Sequence, residues 1–211
     1  MYRNFENLPE DKRNKIISVS IEEFAQNGYE KASTNSIVKK AGISKGILFH
    51  YFGNKKSLYL YILDYVIDYY IKKFNSQYAF STSDVFERLV ERAKEKMKLA
   101  YEDPDMYKLV FEAFANTPDD IKPEVQGRYA KIIAEQTPLA FKDLDFSKFR
   151  KGVDPKKAIE LIVLSLEALG NKYLSMYKNR GIWTSEEMEK MMQESLEYVE
   201  MLKYGIYESE K

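Results

Sequence analysis

Across 211 residues the chain carries 33 basic and 33 acidic side chains, 45% hydrophobic residues, a single histidine and no cysteine. The missing cysteine excludes disulfides and thiolate chemistry; a Ser-His-Asp triad would need the one imidazole, His50, and a histidine-rich zinc or di-iron site needs more than one. No apolar run reaches the roughly 18 residues of a membrane span, and MYRNFENLPEDKRNK lacks the apolar core of a secretion signal, so a cytoplasmic protein with no membrane partner is expected.

Periodicity predicts an all-α chain with no strand. Leu8-Pro9 opens a first helix, where proline's missing N–H costs nothing, and Ile17, Ser20, Ile21, Phe24 and Ala25 form its buried stripe. Asn27-Gly28 reads as a left-handed C-cap. A second, short helix starts after Ser33 or Thr34, turns Ile37 and Ala41 inward and ends at Gly42. Ser44 caps a third that runs to Phe52, with Leu48 and Phe52 one turn apart. Gly53 breaks it and Asn54 caps a fourth, to about Tyr78. Leu58, Ile62, Leu63, Val66, Ile67, Tyr70 and Phe74 make that helix apolar on most faces, the pattern of one buried on several sides.

Farther along, Asp84 and Glu87 form a capping box ahead of Phe86, Leu89, Val90, Ala93, Met97 and Ala100. Asp103-Pro104 starts a helix with Tyr107, Val110, Phe111 and Phe114 inward. Pro118, Pro123, Gly127 and Pro138 predict a kinked or loop-rich stretch. Asp154-Pro155 opens a helix with Ala158, Leu161, Ile162, Ser165, Leu169 and Tyr173 on one face. A Thr184/Glu187 capping box then leads into Met188, Met192, Leu196, Val199 and Ile206. The 17 tyrosines and 12 phenylalanines suit aromatic core packing, an aromatic-lined ligand cavity, or both. No acidic pair stands in an apolar setting that would indicate catalysis, so no enzyme, metal or cofactor is expected.

Charge is unevenly placed. From Lys31 to Lys56 the chain has six lysines (Lys31, Lys39, Lys40, Lys45, Lys55, Lys56) and no acid, so these 26 positions hold +6 and the remainder holds −6. Such segregation in a neutral chain marks a surface made for a polyanion. It coincides with the two short helices joined across Gly42-Ile43, which have the lengths and turn of a helix-turn-helix whose second helix enters the major groove. Lys55 and Lys56 stand in the first turn of the fourth helix, where the dipole disfavours cations and phosphate would reverse the sign. Gly46, inside the first turn of the third helix, costs roughly 1 kcal/mol relative to alanine, and close approach to DNA would account for it. Plainer readings stand beside these. Ser44 and Asn54 cap helices, Lys39 and Lys40 make a solvated face, and His50 is an exposed residue with no second metal ligand nearby. Phe49 beside Lys45 suits packing on a thymine methyl or a sugar.

The run Phe24-Ala25, Gly28-Tyr29, Thr34, Ile37, Ala41-Gly42-Ile43-Ser44-Lys45-Gly46, Leu48-Phe49-His50-Tyr51-Phe52, Asn54-Lys55 and Leu58 resembles the N-terminal pattern of the tetracycline-repressor (TetR) family. It covers about 45 residues, with many fixed spacings; the rest of the chain is similar only in length and helical character. The resemblance implies a homodimeric repressor that places one helix per subunit in the major grooves of a near-palindromic operator and is released by a small molecule. By the same resemblance Thr34 matches a phosphate contact, Ser44, Lys45 and Gly46 match groove-facing positions, Phe49, His50 and Tyr51 match an aromatic contact run, and Lys55 matches a phosphate clamp. Two departures bear on contacts. Phe49 stands where the family usually has tyrosine, which removes a hydroxyl-to-phosphate bond, and Ile47 replaces a commonly polar residue, leaving only apolar contact with a base.

The domains expected are a helix-turn-helix DNA-binding domain over 8–56 and a larger helical effector-binding and dimerisation domain over 57–211. Tyr65, Tyr69, Phe111, Phe114 and Asn171 are the candidate lining of the effector cavity. The resemblance implies dimerisation through a four-helix bundle, for which the Ala158–Tyr173 and Met188–Ile206 stripes are long and apolar enough; intramolecular core is the other use of such stripes. The rival reading is a helical ligand-binding or protein-interaction module without sequence-specific DNA binding.

Overall fold

The computed structural model describes residues 2–77, 82–180 and 184–207. The described residues form ten helices, in order: α1 (Arg3–Glu6), α2 (Glu10–Lys31), α3 (Thr34–Ala41), α4 (Lys45–Phe52), α5 (Lys55–Gln77), α6 (Val85–Glu102), α7 (Pro104–Ala115), α8 (Lys122–Ala140), α9 (Pro155–Arg180) and α10 (Ser185–Ile206). Among the described residues the only β-type pairings are two isolated bridges, Asp84 with Asp145 and Phe149 with Tyr207. The fold is all-α, as the periodicity predicts. Tyr78 and the side chains of Ala93, Met97, Ala100, Tyr173 and Met188, to which the sequence assigns a helix end or inward positions, lie outside the described set.

The chain forms two compact units, one of Met1–Tyr78 with Ala100–Ala134, the other of Ala79–Leu99 with Glu135–Lys211. In the first unit α2 packs on α3, α5 and α7. Its core joins Ile17, Ile21 and Phe24 of α2 to Ile37, Leu48 and Phe52 of the short helices and to Leu58, Ile62, Leu63 and Val66 of α5. The fourth helix, apolar on most faces by its sequence, is α5: Leu58, Ile62, Leu63, Val66 and Ile67 are buried as expected, while Tyr70 and Phe74 are only half-buried. The compact unit holding the short helices continues past Lys56 into α5, α7 and the start of α8.

Several elements differ from expectation. Residues 3–6 form a helix that no periodicity announces, since one buried residue, Phe5, is its whole apolar face. Pro9 stands just outside α2 as its N-cap rather than within the first turn. Gly28 takes φ 66° as a C-cap would, yet helical turns resume to Lys31, so it is a break inside α2. Residues 122–140, expected to be kinked or loop-rich, form one helix. Pro123 falls in its first turn, where no N–H is required, while Pro138 lies inside the helix. The buried face of α7 is Leu109 and Ala113, while Tyr107, Val110, Phe111 and Phe114 are half-buried.

The second unit has a smaller core of Val85, Phe86, Phe149, Ala158, Ile162, Val199, Ile206 and Tyr207. Asp84 caps α6 by accepting the Phe86 and Glu87 N–H groups at 2.9 and 3.0 Å. The reciprocal half of the expected box is absent, because Glu87 accepts the Thr82 hydroxyl instead. The box at α10 is complete: Thr184 Oγ1 accepts the Glu187 N–H at 3.2 Å and Glu187 Oε2 accepts the Thr184 N–H at 2.9 Å.

Candidate nucleic-acid interface

The two short helices are set by local chemistry. Ser33 caps α3, its side chain accepting the Ser36 N–H at 3.3 Å, so Thr34 is the first helical residue and is half-buried. Gly42 then adopts φ 71°, ψ 32°, the left-handed geometry that glycine takes without strain, and turns the chain. Ser44 caps α4 through the Ile47 N–H at 3.2 Å. Leu48 and Phe52 are buried beneath α4, which leaves Lys45, Gly46, Ile47 and His50 exposed and Phe49 and Tyr51 half-buried. Ile47, an apolar side chain at 44% exposure, faces water with its neighbours on this surface. A Cβ added at Gly46 would meet nothing nearer than Ser44 Oγ at 3.9 Å, so the protein's own packing gives no reason for glycine there.

Two supports of this surface escaped sequence reasoning. Glu23, on the inner side of α2, accepts the Ser33 N–H at 2.9 Å and the Asn27 side-chain amide at 3.1 Å on one oxygen, and the Ser36 hydroxyl at 2.6 Å on the other. It ties the start of α3 to α2. The second is α1. Phe5 lies 4.7 Å from Phe52, 5.7 Å from Tyr51 and 5.3 Å from Tyr61, ring centre to ring centre. Tyr2 packs on Phe52 and Tyr61 and donates its hydroxyl to the Ser57 carbonyl at 3.3 Å. Asn4 Nδ2 lies 3.4 Å from His50 Nε2. The N-terminal segment therefore braces the C-terminal end of α4; the weak sequence signal was a pair of aromatics, Tyr2 and Phe5, ahead of a proline.

The lysines divide into two groups. Lys31 and Lys39 make no hydrogen bond or ion pair among the described residues, and Lys45 sits over the Phe49 ring, its Nζ 5.8 Å from the centroid. The other three are engaged by the protein. Lys40 pairs with Glu22 at 2.9 Å, which raises the lysine's pKa and lowers the glutamate's. Lys55 donates to the Glu30 carbonyl at 2.8 Å and lies over the Tyr29 ring at 5.2 Å. Burial holds its ammonium below lysine's usual range, although Asp120, Glu30 and Glu23 pull the other way. Lys56 meets Glu124 at 2.5 Å and the Asp120 carbonyl at 2.7 Å. The segment is free of acids in sequence but not in space. Asn54 Oδ1 accepts the Ser57 N–H at 2.8 Å, capping α5 as expected.

Of the candidate ligand-lining residues, Tyr65 and Tyr69 lie on α5 and Phe111 and Phe114 on α7, all in the first unit. Tyr65 is exposed; Tyr69 donates to Asp103 Oδ2 at 3.2 Å, and Phe114 packs on Tyr129 at 5.1 Å. Asn171 belongs to α9 in the second unit and its side chain lies outside the described set. In that unit α9 and α10 bury Ala158, Ile162, Val199 and Ile206 in the local core, yet expose Leu161, Leu164, Tyr198, Met201 and Tyr204. Among the described residues no group of His, Asp or Glu is arranged to hold a metal, and no helix is long and apolar enough to cross a membrane.

Residues 16–62, which run from α2 through α3 and α4 into α5, match the family described as bacterial regulatory proteins, tetR family. The HTH-type transcriptional activator FasR of Mycolicibacterium smegmatis is 30% identical over 106 residues, 50% of this chain and 48% of FasR, so the match spans about half of either protein. The HTH-type transcriptional regulator RutR of Escherichia coli K12 is 25% identical over 160 residues, 74% of this chain and 72% of RutR. A solved TetR family regulator from Chloroflexus aurantiacus superimposes with a TM-score of 0.61 over 98% of both chains at 23% identity, which bears on the fold. The helix-turn-helix geometry and the 16–62 match agree, and residues 16–62 carry the helix-turn-helix segment of the tetR family of bacterial regulatory proteins.

Proposed function

We propose that this protein is a dimeric, ligand-responsive transcriptional regulator that binds double-stranded operator DNA through residues 8–56, with 57–211 receiving the effector and the second subunit. The observation that carries the reading is the outer face of α4. Lys45, Gly46, Ile47 and His50 are exposed together, above a floor of Leu48 and Phe52, and Gly46 has no packing partner inside the protein that would call for glycine. That combination suits a backbone brought close to a duplex, with a cation and apolar groups at the base edges.

In this reading Ser44, Lys45, Gly46 and Ile47 enter the groove, Phe49, His50 and Tyr51 flank it, and Thr34 and Lys55 meet phosphates. Pairing of α9 and α10 between subunits covers Leu161, Leu164, Met201 and Tyr204 and sets two α4 helices roughly 34–36 Å apart, one DNA turn, or near a multiple of it. A small-molecule effector acts by binding two conformations with different affinity. Its lining is assigned to Tyr65, Tyr69, Phe111 and Phe114 of the first unit, and release of a repressor is the direction the family resemblance favours. A mobility-shift assay on the DNA upstream of the protein's own gene, at two salt concentrations, tests the reading. Sequence-selective binding that weakens steeply with salt is expected; binding that is absent at both salts would leave the ligand- or protein-binding module instead.

A further inference from the structure

We infer that Asp120, in the turn before α8, and Glu124, in the helix's first turn, are a built-in rival of the DNA backbone for Lys56, so that a duplex must displace an ion pair of the protein's own to engage the α5 end of the reading surface. The inference rests on the DNA-binding reading above and concerns regulation of that same surface.

The geometry is specific. Lys56 lies in the first turn of α5, beside Lys55, and α5 begins only two residues after α4 ends. Its ammonium has three N–H groups. One meets Glu124 Oε1 at 2.5 Å and another the Asp120 carbonyl at 2.7 Å. A phosphate approaching the third would face the Glu124 carboxylate at short range, and like charges repel. Asp120 also accepts the Tyr29 hydroxyl at 3.2 Å, and the Tyr29 ring carries the Lys55 ammonium. Both lysines of the pair are therefore drawn toward the same acidic turn.

The rival is held in position. One turn beyond Glu124, Arg128 grips Asp64 of α5 with two hydrogen bonds, at 2.5 and 2.7 Å, and donates to the Glu124 carbonyl at 3.0 Å. Glu124 thus faces Lys56 because α8 is clamped to α5, and a shift of α8 along α5 would change how strongly Lys56 is held. The pair is about a third exposed on each side, and ion pairs of that exposure shift an equilibrium by up to about fivefold. That is a graded brake rather than a block.

The test uses the full-length protein and a random-sequence 40-bp duplex, with affinity read by fluorescence anisotropy at low and moderate salt. Glu124→Gln should bind about threefold more tightly than wild type, and Lys56→Gln more weakly. In the Lys56→Gln background Glu124→Gln should have no further effect, because the cycle isolates the pair. A gain of equal size in that background would show that the lost charge acts through the general field, and would overturn the inference, as would no gain at all. Glu124→Ala must behave as Glu124→Gln, with circular dichroism and the denaturation midpoint establishing that each variant is folded. Lys45→Ala separates the two readings. Should wild type bind no better than Lys45→Ala, the DNA-binding reading itself fails and this one falls with it. Should Lys45→Ala lose affinity while Glu124→Gln gains none, only the brake is rejected.

Discussion

The Glu23 carboxylate, 5% exposed at the inner side of α2, receives the Ser36 hydroxyl of α3 at 2.6 Å. A carboxylate in an apolar core is costly unless its oxygens are satisfied, and here Ser33, Asn27 and Ser36 satisfy them. The arrangement fixes where α3 begins, and through Ser33 and Thr34 it fixes the part of the surface assigned to a phosphate. Glu23→Ala should lower stability by about 1–3 kcal/mol, the range for leaving buried donors without an acceptor. Urea denaturation measures it. An unchanged midpoint would mean that water replaces the carboxylate at no cost.

Phe5 makes a parallel case at the other end of the reading surface. It is fully buried against Tyr51, Phe52 and Tyr61 although it sits in a four-residue helix that could not stand alone. Phe5→Ala should cost about 3–5 kcal/mol, as aromatic-to-alanine changes in cores do. Amide hydrogen exchange should then rise first in α4, whose C-terminal end α1 braces. Faster exchange spread evenly over the whole chain would point to global destabilisation without that bracing role.

These two supports mark where the sequence stopped being legible. The helix-turn-helix could be read because its signals are local: Ser33 and Ser44 cap, Gly42 turns, and Leu48 and Phe52 sit one turn apart. Glu23 gave no such signal, since a glutamate in a helix pattern is ordinarily solvated and the two partners that tie it to α3 lie 10 and 13 residues away. The lysine run was misjudged in the same way. Glu22, Asp120 and Glu124 are distant in sequence and adjacent in space, so counting charges along the chain overstated the free positive surface. Proline count misled over 122–140 in part because Pro123 falls in the first turn, where it forfeits no hydrogen bond; Pro138 lies inside the helix and nothing in its position accounts for the helix continuing past it. In α7 the pattern pointed to the aromatic side, while Leu109 and Ala113 are the residues that fit the core.

Lys45 differs from Lys40 in having no carboxylate partner among the described residues. If it meets the duplex, Lys45→Ala should weaken binding to every sequence, lower the salt slope by about 1 and alter base preference as well. Lys40→Ala, which also frees Glu22, should change affinity much less. Titrations against two unrelated duplexes at four salt concentrations distinguish the outcomes, and equal losses for both variants would remove the special role of α4's first turn.

Asp84 links stability of the second unit to pH. Burial pushes its carboxyl up, but the Glu87 backbone N–H and Lys148 outweigh this, and the net pKa lies below the usual aspartate range. Between the lowered folded value and the unfolded value of about 3.9, the unfolded chain binds more protons. The stabilisation is therefore complete above about pH 4 and is lost as pH falls through the folded pKa. Asp84→Ala should cost about 1 kcal/mol near neutrality, as loss of a helix cap does, and should flatten the acid limb of a stability-versus-pH curve. An acid limb unchanged in the variant would assign it to other carboxylates.

Met201 and Tyr204 on α10 are 70% and 77% exposed, and Leu161 and Leu164 on α9 are 51% and 57% exposed. Side chains of that size exposed along two helices of one unit exceed what a lone surface needs, and burying them is worth roughly 1.5–3 kcal/mol each. The same helices bury Ala158, Ile162, Val199 and Ile206 inward, so charge placed on the outer face should leave the unit folded. If the proposed subunit contact uses this face, the wild type should sediment as a dimer and a Met201→Asp, Leu164→Glu double variant as a monomer. Its helical circular dichroism should be kept, and its affinity for a two-half-site duplex should fall by tenfold or more, on the order of the loss of linkage between two reading heads. A variant that remains dimeric would move the subunit contact away from this face. One that becomes monomeric yet keeps full affinity would show that each subunit reads its half-site alone.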